Sequence, residues 1–302
     1  MNVDFQHSAG KPPLVLGASG RIGTGFQRLA QMGEWPGPAP LWQVRCGVEP
    51  APGNLVYWDI LAENPPEFGP CQGIICLAGV VNGDLALNTA LALAAIDLAV
   101  AKGCGPVLLT STSAVYGPAD QPVTEHSPCN PANAYGRAKL AMERAVSNYL
   151  HDLGETAPVV CILRIGNVAG ADALLLAAQN GVVTLDRFDD GQGPERSYIG
   201  MRDLAGVMTH LIGLSARSVA LPQILNIAAD QPLAMTALLQ AAGLDWLWRS
   251  APPMAVRRMV LDTTLLQSLI AAKKLSADPA EMIRQSRLAG WAPAEPPAGY
   301  PA

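Results

Sequence analysis

The sequence predicts a doubly wound parallel α/β fold with a small, non-contiguous C-terminal lobe. Three observations predict it: short apolar runs alternate with longer helical segments through the first half, a glycine-rich turn follows the first of these runs, and the rhythm breaks after Arg164. Strand–helix alternation requires right-handed crossovers, which give a parallel sheet covered by helices on both faces. The 302 residues suffice for one large α/β domain carrying an appended lobe.

Residues 13–16 read as the first strand and 22–32, after a turn, as an amphipathic helix. Strands follow at 41–46, 54–58 and 73–77, the last leading into a helix over 85–102. A fifth strand at 106–110, a helix over 132–150 and a sixth strand at 159–164 complete the alternation. Beyond it, 186–194 is a Gly- and Asp-rich loop, 203–213 a helix, 223–228 a strand returning to the main sheet, and 236–242 another helix. After Leu244, Pro and Trp punctuate short helices. The expected division is a dinucleotide-binding domain over 1–165, rejoined by 203–230, and a substrate-binding lobe built from 166–202 and 231–302.

Half of the residues are hydrophobic and 15% are charged, enough to bury a large core. A net charge of −5 and a pI near 5.4 argue against a nucleic-acid partner. The six cysteines form no C-x-x-C pair and no His cluster accompanies them, so no metal is expected and reduced thiols of a cytoplasmic protein are. Residues 1–11 are polar and lack the apolar core of a signal peptide. The stretch 85–100 is nearly all Ala and Leu. Asn88 and Asp97 interrupt it and it is short for a bilayer, so a helix buried against a sheet or a partner subunit is expected, not a membrane span.

The turn after the first strand reads Gly17-Ala18-Ser19-Gly20-Arg21-Ile22-Gly23. Glycines there let the backbone turn tightly and approach a pyrophosphate, whose charge the following helix N-terminus favours. No G-x-x-x-x-G-K-[ST] loop occurs, which disfavours an NTPase. The second strand ends in Arg45, with no carboxylate until Glu49. An Arg at this point accommodates the 2′-phosphate of NADP, so NAD(P) is expected, with NADP leaning over NAD. The alternative has Glu49 curling back to the ribose.

Tyr135 and Lys139 stand four residues apart on a predicted helix, which brings both side chains onto one face. A nearby ammonium favours the phenolate and suits Tyr135 to proton transfer. The pattern is common on its own. The loop Thr110-Ser111-Thr112-Ser113-Ala114-Val115-Tyr116-Gly117 adds hydroxyls at the carboxyl end of a strand, where open α/β sheets bind ligands.

In this order the motifs resemble the extended short-chain dehydrogenases/reductases of the NAD-dependent epimerase/dehydratase group, which have the Rossmann fold. The carriers are G-A-S-G-R-I-G from Gly17, W-D-I from Trp58, C-L-A-G from Cys76, S-T-S-A-V-Y-G from Ser111 and Y-G-R-A-K from Tyr135. L-R-I-G-N-V-A-G from Leu163, R-S-Y-I-G-M-R-D from Arg196 and L-N-I-A from Leu225 extend the likeness over roughly 12–243. The resemblance implies that Thr112 is the catalytic hydroxyl, Tyr135 the acid/base, and Lys139 the residue that holds the nicotinamide ribose and tunes Tyr135. It implies Asp59 and Ile60 at the adenine and Leu77, Ala78 and Gly79 along the cofactor. Asn167 and Arg196 match positions that contact substrate phosphates, with Thr112 and Ser113 also expected at the substrate.

The departures matter as much. Arg21 replaces a usual aromatic, Cys76 stands where a His is frequent, and Gly166 replaces the aromatic before Asn167. The Asp-Glu pair of the family's dehydratases is Ser113-Ala114 here, which disfavours dehydration by that route. The expected function is therefore an NAD(P)-dependent epimerase or oxidoreductase acting on a sugar-like hydroxyl or carbonyl, with a nucleotide sugar as the substrate class. The alternatives are an NADPH-dependent reductase of a small non-sugar carbonyl compound and a non-catalytic NAD(P)-binding sensor. A homodimer built on the 85–102 and 132–150 helices is expected from the resemblance.

Overall fold

The computed structural model describes residues 10–45, 54–62, 65–270 and 274–293. Seven strands form the main sheet: β1 (Leu14–Leu16), β2 (Leu41–Val44), β3 (Leu55–Tyr57), β4 (Ile74–Cys76), β5 (Val107–Thr112), β6 (Val160–Ile165) and β11 (Ile224–Ile227). All pair in parallel, in the order β3-β2-β1-β4-β5-β6-β11. The chain thus winds outward in both directions from β1, as in doubly wound dinucleotide-binding sheets.

Alternation along each strand builds two cores. Val15, Ile75, Leu108, Cys161 and Leu163 face one side, where they meet Phe26 and Leu29 of α1 (Arg21–Gln31) and Leu204 and Met208 of α5 (Met201–Ala216). Leu14, Leu16, Ile74, Val107, Leu109 and Ile162 face the other, against α2 (Leu87–Lys102) and α3 (Ala134–Leu153). Burial on both faces explains why these strands read as continuous apolar runs. The Ala/Leu-rich stretch is accordingly a helix packed on the sheet, with its own Ala92, Ala95, Ile96 and Ala99 buried. Among the described residues no helix is long and apolar enough to cross a membrane.

Two boundaries differ from expectation for clear reasons. β5 runs on to Thr112 because Ser111 and Thr112 still pair with Arg164 and Ile165 of β6. α3 begins at Ala134 because Asn133 caps it, its Oδ1 accepting from Gly136 N at 2.7 Å. Cys46, placed in the second strand by sequence, lies outside the described residues.

The remaining elements form small sheets and short helices. β7 (Asn167–Val168) pairs with β10 (Tyr198–Ile199), and β8 (Val183–Arg187) with β13 (Trp246–Ser250). β9 (Glu195–Arg196) lies between β12 (Leu233–Ala234) and β14 (Arg258–Met259). Of the helices α4 (Ala173–Ala178), α6 (Met235–Ala242), α7 (Thr264–Ile270) and α8 (Pro279–Leu288), α7 packs against β11 and α8 against α1, α5 and α6. The C-terminal elements therefore also cover the main sheet's helices.

Candidate active site

A cleft of about 510 Å³ opens at the carboxyl edge of the sheet, where strand order reverses around β1. The position is the one where open α/β sheets bind ligands. One wall is the glycine loop. Gly17 has φ +78, and a Cβ on it would stand 2.6 Å from Ala78 N. A Cβ on Gly23 would meet the Ala18 backbone at 2.6 Å, so only glycine lets β1, α1 and the turn after β4 come this close. No side chain caps α1 and its first turn holds no acidic residue, so its amide end faces the cleft uncovered by carboxylate.

Two residues that no motif assigned to the site hold this wall in place. Gln43 is buried on β2; its Oε1 accepts from Gly17 N at 2.8 Å and its Nε2 donates to Trp58 O. Asn88, on α2, accepts from Val80 N at 3.0 Å and donates to Val80 O at 2.9 Å, fixing the turn that follows β4. A polar residue in an apolar helix was the available signal for Asn88.

The floor comes from β5 and α3. Period-2 alternation separates the hydroxyls. Ser111 donates to buried Glu143, while Thr110 Oγ1 donates to Cys76 O at 3.0 Å. Thr112 Oγ1 accepts from Ala114 N at 3.2 Å, capping a short turn. α3 can lie against that turn because residue 136 is glycine: a Cβ there would stand 2.5 Å from Ala114 O. Tyr135 and Lys139 then both line the cleft with Thr112.

Burial governs the two titrating groups. It pushes the Tyr135 phenol above its ordinary range, and the positive charge that opposes this is Arg21. The expected lowering of Tyr135 by Lys139 is not what the structure gives. Lys139 turns inward, its Nζ donating to Thr110 O at 2.9 Å, and burial pulls its pKa down to about 8 against the favourable charges of Cys76 and Glu143. Arg21 itself reaches across the cleft, its guanidinium donating to Ala171 O at 3.1 Å.

The far wall is formed by Gly166, Asn167, Val168, Ala171, Asp172 and Ala173. Gly166 is held by a close backbone approach: a Cβ there would stand 2.5 Å from Ser197 O. Asp172 was not singled out by sequence. It is buried, caps α4 through Leu174 N at 3.2 Å and accepts from Tyr198 Oη at 3.1 Å; burial pushes its carboxyl up to about 6.

Of the expected residues, the cleft gathers Gly17, Ser19, Gly20, Arg21, Ile22, Gly23, Leu77, Gly79, Thr112, Tyr135, Lys139 and Asn167. Arg196 is not among its lining. Its guanidinium donates to the carbonyls of Glu195, Val256 and Arg257, tying β9 to the chain before β14. Ser113 begins the short turn after β5 and does not line the cleft, and Ala78 packs its backbone behind Gly17. Arg45 is exposed at the end of β2. Asp59 accepts from Leu61 N at 3.0 Å and Ile60 is buried in the core. These three stand beyond the lined cleft, and Glu49 lies outside the described residues.

A model of the NAD dependent epimerase/dehydratase family matches residues 14–228. The chain belongs to the NAD-dependent epimerase/dehydratase family. It is 31% identical to the UDP-glucose 4-epimerase of Corynebacterium glutamicum over 163 residues, 47% of this chain and 48% of that protein. It is 40% identical to the UDP-glucose 4-epimerase of Azospirillum brasilense over 87 residues, 28% of this chain and 24% of that one. The chain thus matches about half or less of the length of these curated relatives. Its fold is that of the UDP-glucose 4-epimerase of Brucella ovis in complex with NAD (TM-score 0.72, 19% identity, 91% of this chain and 97% of that one). It is equally that of the Stenotrophomonas maltophila UDP-glucose-4-epimerase with bound NAD and formylated UDP-arabinopyranose (TM-score 0.71, 19% identity, 92% and 97%).

Proposed function

We propose that this family member is an NAD(P)-dependent epimerase or reductase acting on a hydroxyl or carbonyl of a sugar-like substrate, with a nucleotide sugar as the favoured class. One observation carries the reading: the glycine loop, Thr112, Tyr135 and Lys139 open into a single cleft. The cleft suits a dinucleotide. A glycine loop packed tightly on Ala18 and Ala78 lies beside an uncapped helix N-terminus, and Lys139 lines the same cleft.

NAD(P) bound there would supply the hydride acceptor and donor. Tyr135 would take the proton from the substrate hydroxyl at its Oη and return it to the carbonyl. Thr112 Oγ1, half-buried at the end of β5, would hold the same substrate oxygen. Lys139, anchored on Thr110 O, would hold the ribose and keep a positive charge under the reacting centre. Arg21 supplies the charge that favours the Tyr135 phenolate. Asn167 on the far wall would meet the substrate. The elements drawn from 166–202 and 231–302 would form the lobe that selects it. Ser113 and Ala114 offer no acid/base pair for dehydration.

The relatives' names favour NAD and 4-epimerisation, whereas the exposed Arg45 at the end of β2 favours NADP and a reductase. Cofactor that copurifies and survives dialysis supports the epimerase; readily exchanging NADPH supports the reductase. A homodimer through α2 and α3, which pack against each other, is part of the proposal and is tested by mass in solution. The deciding experiment assays interconversion of UDP-glucose and UDP-galactose, and cofactor-dependent reduction of small carbonyl compounds, with wild type and Tyr135→Phe. A loss of about 10²–10⁴-fold in kcat with cofactor affinity retained is expected. An unchanged kcat in the variant would overturn the assignment.

A further inference from the structure

A second pair of reactive groups lies at the opposite end of the sheet from the cleft. β4 and β5 run in parallel with Ile74 opposite Val107. Three residues before each of these stand Cys71 and Cys104, at matching positions where the two chains enter the sheet. Both side chains are buried in one apolar cluster, and each thiol acts electrostatically on the other. Adjacent strands run about 4.8 Å apart, inside the Cα separation of roughly 4.4–6.8 Å that a disulfide spans.

Position and charge set these two apart from Cys76 and Cys161. They sit at the rim of the core, 7% and 8% exposed, whereas Cys76 and Cys161 lie deep within it at 2% and 0%. Cys104 Sγ rests 3.9 Å from Lys102 O, and the Lys102 and Lys11 ammonium groups both act on it. Interaction with Cys71 holds the Cys104 thiol down to about 7, with burial acting against it, and leaves Cys71 raised. Burial instead pushes Cys76 up to about 11 and Cys161 to about 12. Thiolate is the nucleophilic form; Cys104 follows Lys102 by two residues and is assigned as the attacking sulfur, with Cys71 as the neighbour that resolves it.

We propose that Cys71 and Cys104 form a redox-active dithiol, separate from the hydride site, that a peroxide closes to a disulfide and a dithiol reductant reopens. The Cys104 thiolate attacks one peroxide oxygen; the S–O bond forms as the O–O bond breaks, and the other oxygen leaves as water or alcohol after taking a proton. The Cys71 sulfur then attacks the sulfenic sulfur. The S–S bond forms, the S–O bond breaks, and hydroxide departs with the Cys71 proton as water. Two electrons pass from the thiols to the peroxide. The closed loop contains β4, α2 and the cleft residues Leu77 and Gly79, so oxidation ties the entry ends of two central strands together behind the cleft.

The test treats the full chain with hydrogen peroxide, alkylates the remaining thiols and maps the peptides by mass. The expected product is lighter by two hydrogens, carries a Cys71–Cys104 crosslink and reverts with dithiothreitol. In Cys71→Ser, dimedone should trap a sulfenic acid on Cys104. In Cys104→Ser, peroxide consumption should slow roughly tenfold or more, with Cys71 left as thiol. A crosslink between other cysteines, or Cys104 reacting no faster than Cys161, overturns the proposal. The wild-type crosslink map decides it even if a serine variant folds poorly, and none of these readouts depends on the substrate or on turnover.

Discussion

Glu143 and Asp172 are carboxylates buried on opposite sides of the same cleft, yet their surroundings differ in kind. Glu143, under the floor, is 4% exposed and meets Arg164 at 2.7 Å, with Ser111 donating to it as well. Arg164 also donates to Glu125 O and stacks on the Tyr116 ring at 4.8 Å. Burial alone would lower the Arg164 pKa; the hydrogen bond and charge of Glu143 more than offset it and hold it above its ordinary value. Asp172, in the far wall, is 9% exposed and meets neutral donors through Oδ2, while its buried Oδ1 has no partner among the described residues. Two carboxylates at similar depth thus sit in different electrostatic settings, one facing a cation and the other only neutral donors.

The largest effect expected from this contrast is at the floor. Glu143→Leu leaves Arg164 buried without an anion and should cost about 3–5 kcal/mol in urea unfolding. Pairing it with Arg164→Met should recover most of that loss, because the uncompensated charge is gone. A double variant as unstable as the single would mean that packing of α3 on β6, not charge pairing, carries the stability.

At the far wall the same logic reverses sign. The folded Asp172 carboxyl titrates near 6, above its ordinary value of 3.8. Between these values the native state holds more protons than the unfolded chain, so stability is fully present below pH 4 and is lost as pH rises through 6. Asp172→Asn removes the ionisation. At pH 7.5 it should raise stability by about 2–3 kcal/mol and flatten the pH dependence between 4 and 6. Thermal unfolding across that range checks it, and an unchanged pH slope would show that Asp172 is ionised in the fold.

A smaller effect is expected at Gly166. The Cβ of Gly166→Ala would press on the Ser197 carbonyl at 2.5 Å, and backbone cannot yield as a side chain can. A cost of about 1–3 kcal/mol follows from overpacking. Wild-type stability in this variant would mean that the β7–β10 pairing is loose enough to move.

These contrasts also show what the sequence made legible. The glycine-loop wall and the floor are written in local constraints: Gly17, Gly23 and Gly136 are needed because a backbone passes within van der Waals contact, and such glycines stand out in a motif. The parallel sheet covered on both faces followed from alternation and crossover handedness, and residues 224–227 returned to the sheet as the apolar run implied. Partnerships across long sequence separations were not legible. Gln43 holds Gly17 from 26 residues away, Arg21 reaches Ala171 over 150, and nothing near either residue announces it. Arg196 illustrates the reverse: an arginine in a substrate-contact motif spends its donors on three carbonyls.

The smallest stability effect and the most informative chemical one come from Arg21, which replaces the family's usual aromatic. Its guanidinium is exposed and its hydrogen bond to Ala171 O is a single surface contact, so Arg21→Phe should change stability by less than about 0.5 kcal/mol. Its charge, however, is the one that opposes the burial-driven rise at Tyr135. Removing it withdraws support from the phenolate, so the Tyr135 pKa should move further up. The limb of the pH–rate profile that reports the deprotonated base should follow it toward higher pH. Titration of ring-labelled tyrosine by NMR reads the same shift directly, without substrate. A Tyr135 pKa that stays put in Arg21→Phe would show that the guanidinium is too well solvated to be felt across the cleft. The bridge to Ala171 would then be a tether between the two walls and nothing more.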